Sequence, residues 1–318
     1  MIVVADDFPS VFEGSPAHER ARRVGEVRVH TERGAENQAE LIRRIGDARI
    51  AINIRAYARF TDEVFAACPH LQLVSIWGTG TDNIDLEAAR RRGVTVCNTP
   101  GVNAIAVAEH TFALMLAVAR KLARIDRDMR AGEWPRDMLT QLNGKTLGIF
   151  GMGATGSRVA ALGRAFGMEV LGFSARGDPR RLRAAGIAPG DKAQILRRAD
   201  VISLHLRLTR DTEGFIGRDA FALMKPEAIL VNTGRGALVD RDALIEALAS
   251  GKLAGAGLDV FHEEPIKSHD PLLRLSNTVL SPHNAGQTPE VRRDGLMLAV
   301  ENVERFLAGT PLHVVAEP

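Results

Sequence analysis

The sequence predicts an α/β protein built from two doubly wound parallel-sheet domains. Short apolar runs alternate with helical segments along nearly the whole chain, which is typical of parallel sheets covered by helices on both faces. The length of 318 residues is large for one core and fits two domains of ordinary size. A glycine-rich turn also joins one apolar run directly to a helical segment, as in many α/β proteins.

The apolar runs fall into two series, and each series predicts the strands of one sheet. The runs of the first series are residues 2–4, 27–29, 50–54, 73–76 and 94–97. The runs of the second series are residues 147–150, 170–173, 201–204, 228–231, 255–258 and 278–280. The chain is therefore expected to form two separate parallel sheets.

Two helical segments place the domain boundaries. The very apolar segment 104–129 separates the two series and predicts one long helix, buried between the domains. A last helix, predicted over 289–308, is expected to return to the first domain. We therefore predict that residues 1–98 and 287–318 form one domain, into which a second domain of residues 99–286 is inserted.

The turn after the first strand of the second series has the spacing of a phosphate-binding loop. Gly151, Gly153 and Gly156 complete the pattern G-x-G-x-x-G, and a helical pattern begins at Ala154 and Thr155. In this pattern Gly151 permits the tight turn, Gly153 lets the backbone approach the phosphates, and Gly156 lets the helix pack on the strand. Because a helix N-terminus favours anions, the segment predicts a dinucleotide-binding site.

Composition narrows the class of protein further. The 41 Lys and Arg residues nearly balance the 39 Asp and Glu residues, which gives no basis for a nucleic-acid partner. Cys68 and Cys97 lack the spacing of a metal site, so neither a disulfide framework nor a metal is expected. No secretory signal or membrane-spanning stretch is evident, which predicts a cytoplasmic protein without a membrane partner.

Several segments together resemble the D-isomer-specific 2-hydroxyacid dehydrogenases. They are Gly-Thr-Gly-Thr-Asp-Asn-Ile-Asp at 78–85, Asn-Thr-Pro-Gly-Val-Asn at 98–103, Val-Asn-Thr-Gly-Arg-Gly-Ala-Leu-Val-Asp at 231–240, Leu-Asp-Val-Phe at 258–261 before Glu-Glu-Pro, and Ser-Pro-His-Asn-Ala-Gly at 281–286. The resemblance extends over nearly the whole chain. It implies a Rossmann dinucleotide-binding domain inserted in a flavodoxin-like substrate domain, with the active site in the cleft between them.

The resemblance also implies a catalytic triad. His283 matches the residue that exchanges a proton with the substrate oxygen, a role that suits an imidazole in both directions of the reaction. Glu264 matches the carboxylate that hydrogen-bonds this imidazole and favours its charged form. Arg235 matches the guanidinium that holds the substrate's carboxylate and carbonyl oxygen. Taken singly, each residue is more typical of a loop or surface role than of catalysis. Their shared position at the carboxyl ends of successive predicted strands, where ligands of open α/β sheets bind, favours the triad.

Substrate-binding candidates lie in the first domain. The turn Gly78, Thr79 and Gly80 resembles the family's cradle of backbone amides for the substrate carboxylate, and a simple strand–helix turn would show the same residues. Arg55 follows the third strand and resembles a family position that varies with substrate. It is therefore a candidate for contact with an anionic group of the substrate, with a role unrelated to substrate as the alternative. Trp134 lies in a loop that either covers the cleft or packs elsewhere.

Further residues match the family's cofactor site. The resemblance places Thr233, Gly234 and Asp259 near the nicotinamide, with Asp259 close to its carboxamide, and Val107 is a further candidate for cofactor binding. It places the segment His205, Leu206 and Arg207 on the adenosine side. Arg207 stands where the family usually has proline, which leaves either a basic group near the ribose or an exposed side chain.

The end of the second strand of this domain bears on cofactor choice. An NAD enzyme usually has Asp or Glu there, whereas this chain has Ser174, followed by Arg176. Serine and arginine can bind the 2′-phosphate of NADP, with help from Arg207, Arg180 or Arg181. Asp178 could instead serve as a displaced acidic partner for NAD. The sequence therefore favours NADP(H) over NAD(H) without excluding either.

The residues and the resemblance together predict an oxidoreductase. The expected reaction is hydride transfer between nicotinamide and a small 2-hydroxy or 2-oxo acid, such as glyoxylate or hydroxypyruvate, with phosphoglycerate as a second candidate. The alternative is a non-catalytic dinucleotide sensor of the corepressor kind. A homodimer is expected because the family usually dimerises through the nucleotide domain.

Overall fold

A computed structural model of the chain describes residues 1–173 and 179–318, with only the backbone of Arg181. The described residues divide into two compact units. Met1–Asn103 and Gln287–Pro318 form the first unit, and the single segment Ala104–Gly286 forms the second. The boundary predicted after residue 98 lies a few residues before the observed one.

Strands and helices alternate through both units. The strands are β1 (Ile2–Val4), β2 (Val27–Val29), β3 (Ile50–Asn53), β4 (Leu73–Ile76), β5 (Thr95–Cys97), β6 (Thr146–Phe150), β7 (Glu169–Phe173), β8 (Ala188–Pro189), β9 (Val201–Leu204), β10 (Ile229–Asn232), β11 (Gly255–Leu258), β12 (Thr278–Leu280) and β13 (Val314–Ala316). The helices are α1 (Pro16–Arg22), α2 (Gln38–Ile45), α3 (Asp62–Ala67), α4 (Leu86–Arg91), α5 (Ala104–Ala119), α6 (Leu122–Arg130), α7 (Ala154–Ala165), α8 (Pro179–Ala184), α9 (Lys192–Arg198), α10 (Arg218–Leu223), α11 (Arg241–Ala249) and α12 (Pro289–Leu307).

Every strand predicted from the sequence is present, with ends that differ by at most one residue. The prediction missed β8 and β13. The strand β8 has only two residues, one of them proline, and so carries no apolar periodicity. The strand β13 near the C-terminus is three residues long and has no partner nearby in sequence.

The first unit contains a sheet of six strands in the order β13-β5-β4-β3-β1-β2. Strands β1 to β5 are mutually parallel, and Ile2 lies opposite both Val27 of β2 and Ile50 of β3. The prediction of a wholly parallel sheet was wrong at one edge, because β13 pairs antiparallel with β5. Helix α12 packs on α1, β3 and β4 of this same unit.

The second unit contains a sheet of seven parallel strands in the order β12-β11-β10-β9-β6-β7-β8. The chain starts at the centre with β6, runs out to β8 on one side, and returns to β9 on the other side of β6. This order makes β6 the strand at which the winding reverses, where ligands of open α/β sheets bind at the carboxyl ends of the strands. The predicted fold class, with two doubly wound sheets, is confirmed.

The prediction of one continuous helix over 104–129 was wrong, because the segment forms two helices. Lys121 adopts a left-handed φ of 50°, which an α-helix does not continue through, so the segment forms α5 and α6 instead. Helix α5 buries nine side chains and packs on α7, β10 and β11, whereas α6 buries none. Within the described residues, no helix is long and apolar enough to cross a bilayer.

Candidate active site

The turn between β6 and α7 depends on two glycines that pack against backbone. Gly151 has a φ of +102°, and a Cβ there would lie 2.4 Å from the carbonyl carbon of His205. A Cβ on Gly156 would lie 2.0 Å from the carbonyl oxygen of Gly151. Since real Cβ atoms do not approach so closely, a side chain at either position would force the backbone to shift. The turn thereby brings the start of α7 against the ends of β6 and β9.

The N-terminus of α7 can receive a phosphate. The N-cap residue is Gly153, and the first hydrogen bond within the helix runs from the Ser157 amide to the Gly153 carbonyl. The amides of Ala154, Thr155 and Gly156 therefore have no acceptor within the helix. A Cβ on Gly153 would meet no heavy atom within 4 Å, and no acidic side chain occupies the first turn. Open space beside unpaired amides fits the pyrophosphate of a dinucleotide.

The end of β9 forms a second side of this region. The Nε2 of His205 lies 2.8 Å from the Ser203 hydroxyl, and burial lowers the pKa of His205 to about 4. The imidazole is therefore neutral at neutral pH. Arg207 is exposed, and its carbonyl accepts a hydrogen bond of 2.6 Å from Thr212, which fixes the start of this loop. Leu206 packs on the hydrophobic core of the unit.

His283 and Glu264 form a direct pair. The Nδ1 of His283 lies 2.6 Å from Oε2 of Glu264, while Oε1 of Glu264 accepts a hydrogen bond of 2.9 Å from the Phe261 amide. Both side chains remain partly open to solvent, at 43% and 36% exposure. His283 holds a left-handed φ of 52°, an unusual conformation for a residue with a Cβ. The surrounding chain must therefore hold it in place.

Arg235 lies close enough to act on this pair electrostatically. Burial alone would raise the pKa of Glu264, but hydrogen bonds from His283 and Phe261, with the charges of His283 and Arg235, hold it below its usual range. Arg235 follows β10, and its carbonyl accepts a hydrogen bond of 2.8 Å from the Asn232 side chain. The structure thus brings the three residues of the predicted triad into one neighbourhood of the second unit.

The Asp259 carboxylate accepts three hydrogen bonds from the loop that carries His283. Its Oδ1 accepts hydrogen bonds from the Ser281 hydroxyl at 2.7 Å and from the Asn284 amide at 3.0 Å. Its Oδ2 accepts one from the Ala285 amide at 3.0 Å. A carboxylate offers about four acceptor positions, so one on Oδ2 remains for a donor such as a carboxamide. The predicted place of Asp259 beside the nicotinamide stays a prediction.

Thr233 and Val107 lie at the same end of β10. The Thr233 and Thr111 hydroxyls are 2.9 Å apart, and Thr111 donates a hydrogen bond of 2.7 Å to the Val107 carbonyl. A Cβ on Gly234 would lie 3.2 Å from the carbonyl oxygen of Leu204. The predicted cofactor-binding residues Val107 and Thr233 are therefore linked through Thr111, and Gly234 follows Thr233 directly in the chain.

The candidates of the first unit have fewer open donors than the sequence suggests. The Gly78 amide donates a hydrogen bond of 2.8 Å to the Thr99 hydroxyl. Among the described residues, this leaves the Thr79 and Gly80 amides of that turn for an anion. Arg55 donates to the Pro9 carbonyl, and its buried Nε has no partner in the described part of the chain.

Three of the predicted cofactor determinants cannot be placed. Ser174, Arg176 and Asp178 lie outside the described residues, as does the side chain of Arg181. Two residues with contacts in the site were missed. Ser281 lies in a segment that resembles the family and His110 does not, and neither residue type alone indicated a role. The pairing of His110 with Ser281 joins residues 171 positions apart and has no local signal.

Comparison with known proteins gives one consistent picture. The family model described as the NAD-binding domain of the D-isomer-specific 2-hydroxyacid dehydrogenases matches residues 112–285. A glyoxylate reductase from Aeropyrum pernix is 45% identical over 267 residues, which is 80% of this chain and 79% of the relative. A D-3-phosphoglycerate dehydrogenase from Methanocaldococcus jannaschii is 39% identical over 92% of this chain, which spans only 56% of that relative.

Solved structures agree over the full length. An acyclic imino acid reductase in complex with NADPH and D-Arg has a TM-score of 0.90 at 31% identity, covering 99% of both chains. A D-lactate dehydrogenase from Aquifex aeolicus, complexed with NAD and lactic acid, has a TM-score of 0.88 at 30% identity, covering 100% of both chains. These two complexes contain different nicotinamide cofactors, NADPH in the first and NAD in the second.

Proposed function

We propose that this chain, which belongs to the D-isomer-specific 2-hydroxyacid dehydrogenase family, reduces a small 2-oxo acid such as glyoxylate or hydroxypyruvate. The observation that carries the proposal is the contact of 2.6 Å between His283 and Glu264, close to the charge of Arg235. An imidazole can give a proton to the carbonyl oxygen of a 2-oxo acid, a carboxylate can orient that imidazole, and a guanidinium can stabilise the charge that develops on the oxygen.

The second unit would hold the nicotinamide cofactor. The amides of Ala154, Thr155 and Gly156 would bind the pyrophosphate, and Val107, Thr233 and Gly234 would lie beside the nicotinamide. His205, Leu206 and Arg207 would line the adenosine side. The bound cofactor supplies the hydride that reduces C2 of the substrate.

His283 would act as the proton donor. Its Nδ1 is engaged by Glu264, so Nε2 is the nitrogen left to face the substrate. In the reduction, the imidazolium gives the Nε2 proton to the carbonyl oxygen as C2 is reduced, and it takes the proton back in the oxidation. Glu264 fixes the ring and balances its charge.

Arg235 would bind and polarise the substrate. Its planar guanidinium can hold a carboxylate oxygen and the neighbouring carbonyl oxygen together. Negative charge grows on the carbonyl oxygen during reduction, so a fixed cation beside it favours the transition state. The Thr79 and Gly80 amides are further candidates for the substrate carboxylate.

NADPH is the proposed cofactor in preference to NADH. The support is the sequence at Ser174 and Arg176, together with the exposed Arg207 at the end of β9. An acidic residue, which would repel a 2′-phosphate, is missing at 174. A Ser174→Asp variant is expected to shift the kcat/KM ratio toward NADH, whereas an unchanged ratio would exclude position 174 as the determinant.

A screen of 2-oxo acids with NADH and NADPH in parallel tests the function. We expect turnover of glyoxylate or hydroxypyruvate, faster with NADPH. A large preference for NADH would overturn the cofactor proposal alone. Binding of either dinucleotide without turnover of any 2-oxo acid would favour the non-catalytic sensor. Turnover of phosphohydroxypyruvate above both small acids would favour phosphoglycerate chemistry, with Arg55 as the candidate for the extra anionic group.

A homodimer is part of the proposal. Helix α6 buries no side chain, and the segment after it exposes Trp134 at 70% and Met138 at 90%. Exposed apolar side chains grouped in this way are typical of an interface. We expect a dimer by light scattering and a monomer for the Trp134→Glu, Met138→Glu double variant. A monomeric wild-type protein at micromolar concentration would contradict this.

The predicted cytoplasmic location stays a prediction.

A further inference from the structure

A histidine outside the proposed triad connects α5 to the loop that carries His283. The Nε2 of His110 lies 2.8 Å from the Ser281 hydroxyl and 3.6 Å from Oδ1 of Asp259. The His110 side chain is 26% exposed, while the Asp259 side chain is 1% exposed. The rest of α5 is largely apolar, and His110 is not among its buried residues.

The direction of these hydrogen bonds follows from the atoms. The Ser281 hydroxyl donates its one proton to Oδ1 of Asp259, at 2.7 Å. The Ser281 oxygen must then accept at its contact with His110, so Nε2 of His110 carries a proton and donates it. The result is an ordered chain of donors from His110 to Ser281 to Asp259.

Asp259 contacts the chain on both sides of His283, through the Ser281 hydroxyl before it and two backbone amides after it. Ser281 precedes His283 by two residues, and the Asn284 and Ala285 amides that bond to Asp259 follow it directly. The His283 amide itself bonds to the Ser281 carbonyl at 3.1 Å. His283 is thus bracketed by groups that share one buried carboxylate.

Such bracketing matters because His283 has a left-handed φ of 52°. A residue with a Cβ keeps this conformation only where its surroundings enforce it. We propose that His110 is a positioning residue for His283, acting through Ser281 and Asp259. This inference rests on the proposed function, since it assigns to His110 a role in placing the proton donor.

The test compares His110→Ala with His110→Gln, in which the Gln Nε2 can replace the lost donor. The control is His70→Ala, at an exposed histidine of the turn between α3 and β4. Hydrogen–deuterium exchange of the peptide that contains 281–286 measures the loop without reference to activity. We expect exchange there to be about tenfold faster in His110→Ala, and unchanged in His110→Gln and His70→Ala.

Kinetics then separate positioning from general damage. In His110→Ala we expect kcat for 2-oxo acid reduction to fall about tenfold, since small misplacement of a reacting group is costly. The dissociation constant of the reduced cofactor should change less than about twofold, and His110→Gln should restore most of kcat. The His110→Ala, Ser281→Ala double variant should be no slower than the slower single variant, because both act through one chain.

Several outcomes would overturn the inference. They are unchanged exchange at 281–286, unchanged kcat despite faster exchange, no rescue by Gln, or additive losses in the double variant. Failure of the proposed function would look different. The wild-type protein would then reduce no 2-oxo acid, while the exchange measurement would still show whether His110 holds the loop.

Discussion

Nδ1 of His283 and Oε2 of Glu264 lie 2.6 Å apart, which leaves Nε2 of the same ring as its reactive nitrogen. Since a carboxylate only accepts, Nδ1 keeps its proton in both charge states of the ring. The imidazolium then carries a second proton on Nε2 and can act as an acid, whereas the neutral ring has an open Nε2 and can act as a base. One contact therefore prepares the residue for both directions of the proposed reaction.

The first prediction concerns His283. His283→Ala is expected to lower kcat for 2-oxo acid reduction by about 10²- to 10⁴-fold, the range for loss of a general acid. The dissociation constant of the cofactor should change little, because the amides of Ala154, Thr155 and Gly156 are untouched. Initial rates and fluorescence titration of the reduced cofactor measure the two quantities. Turnover equal to that of wild type would exclude His283 as the proton donor.

The second prediction concerns pH. Because the pKa of Glu264 is held below its usual range, this carboxylate is ionised throughout the neutral range. Wild type should therefore keep its kcat as the pH falls into the usual titration range of a glutamate, because the Glu264 carboxylate is still ionised there. Glu264→Gln lacks this charged partner of His283 at every pH, so its kcat for 2-oxo acid reduction at neutral pH should be about tenfold lower.

Rate profiles from acid to alkaline pH for both proteins check this. Equal kcat values for the two proteins across the whole profile would show that Glu264 does not influence the reacting proton. Glu263→Gln is the matched control, because Glu263 is the exposed neighbour that pairs with Lys267. Its profile should follow that of wild type.

The third prediction contrasts two glycines of one turn. Gly156→Ala should lower the free energy of unfolding by about 1–3 kcal/mol, because the new Cβ would lie 2.0 Å from the Gly151 carbonyl oxygen. Gly153→Ala has open space for its Cβ, so it should cost less than about 1 kcal/mol, mainly from the weaker N-cap. It should nevertheless weaken dinucleotide binding.

Urea unfolding and cofactor titration measure both effects. Equal losses of stability in the two variants would contradict the assigned packing. Unchanged cofactor affinity in Gly153→Ala would show that the pyrophosphate does not approach this position.

The strands of both sheets could be predicted from the sequence because buried parallel strands are continuous apolar runs. The break at Lys121 could not, since α5 and the start of α6 share one helical pattern and only the backbone φ reveals the change. The antiparallel strand β13 pairs with β5, more than two hundred positions earlier, and local periodicity carries no trace of that pairing.

In the site, too, local motifs could be predicted from the sequence, whereas contacts between distant residues could not. The spacing G-x-G-x-x-G between a strand and a helix indicated Gly151 and Gly156, and the resemblance to the family indicated Arg235, Glu264 and His283. His110 and Ser281 become related only when α5 lies beside the ends of β11 and β12. The hydrogen bond from the Gly78 amide to the Thr99 hydroxyl, which makes this amide unavailable to a substrate, likewise joins residues 21 positions apart.

The fourth prediction concerns acid stability. The pKa of His205 falls from an ordinary 6.5 to about 4 through burial, so the unfolded chain binds more protons than the folded one between these values. Stability therefore decreases as the pH falls from 6.5 toward 4. His205→Asn removes this titration. Relative to the variant, wild type should lose up to about 2 kcal/mol of unfolding free energy between neutral pH and about pH 5. Urea midpoints at the two pH values measure the difference, with the exposed His70→Asn as control. Equal acid losses in wild type and His205→Asn would mean that the imidazole at the end of β9 is not held neutral, and that Ser203 and the core around it leave room for its charge.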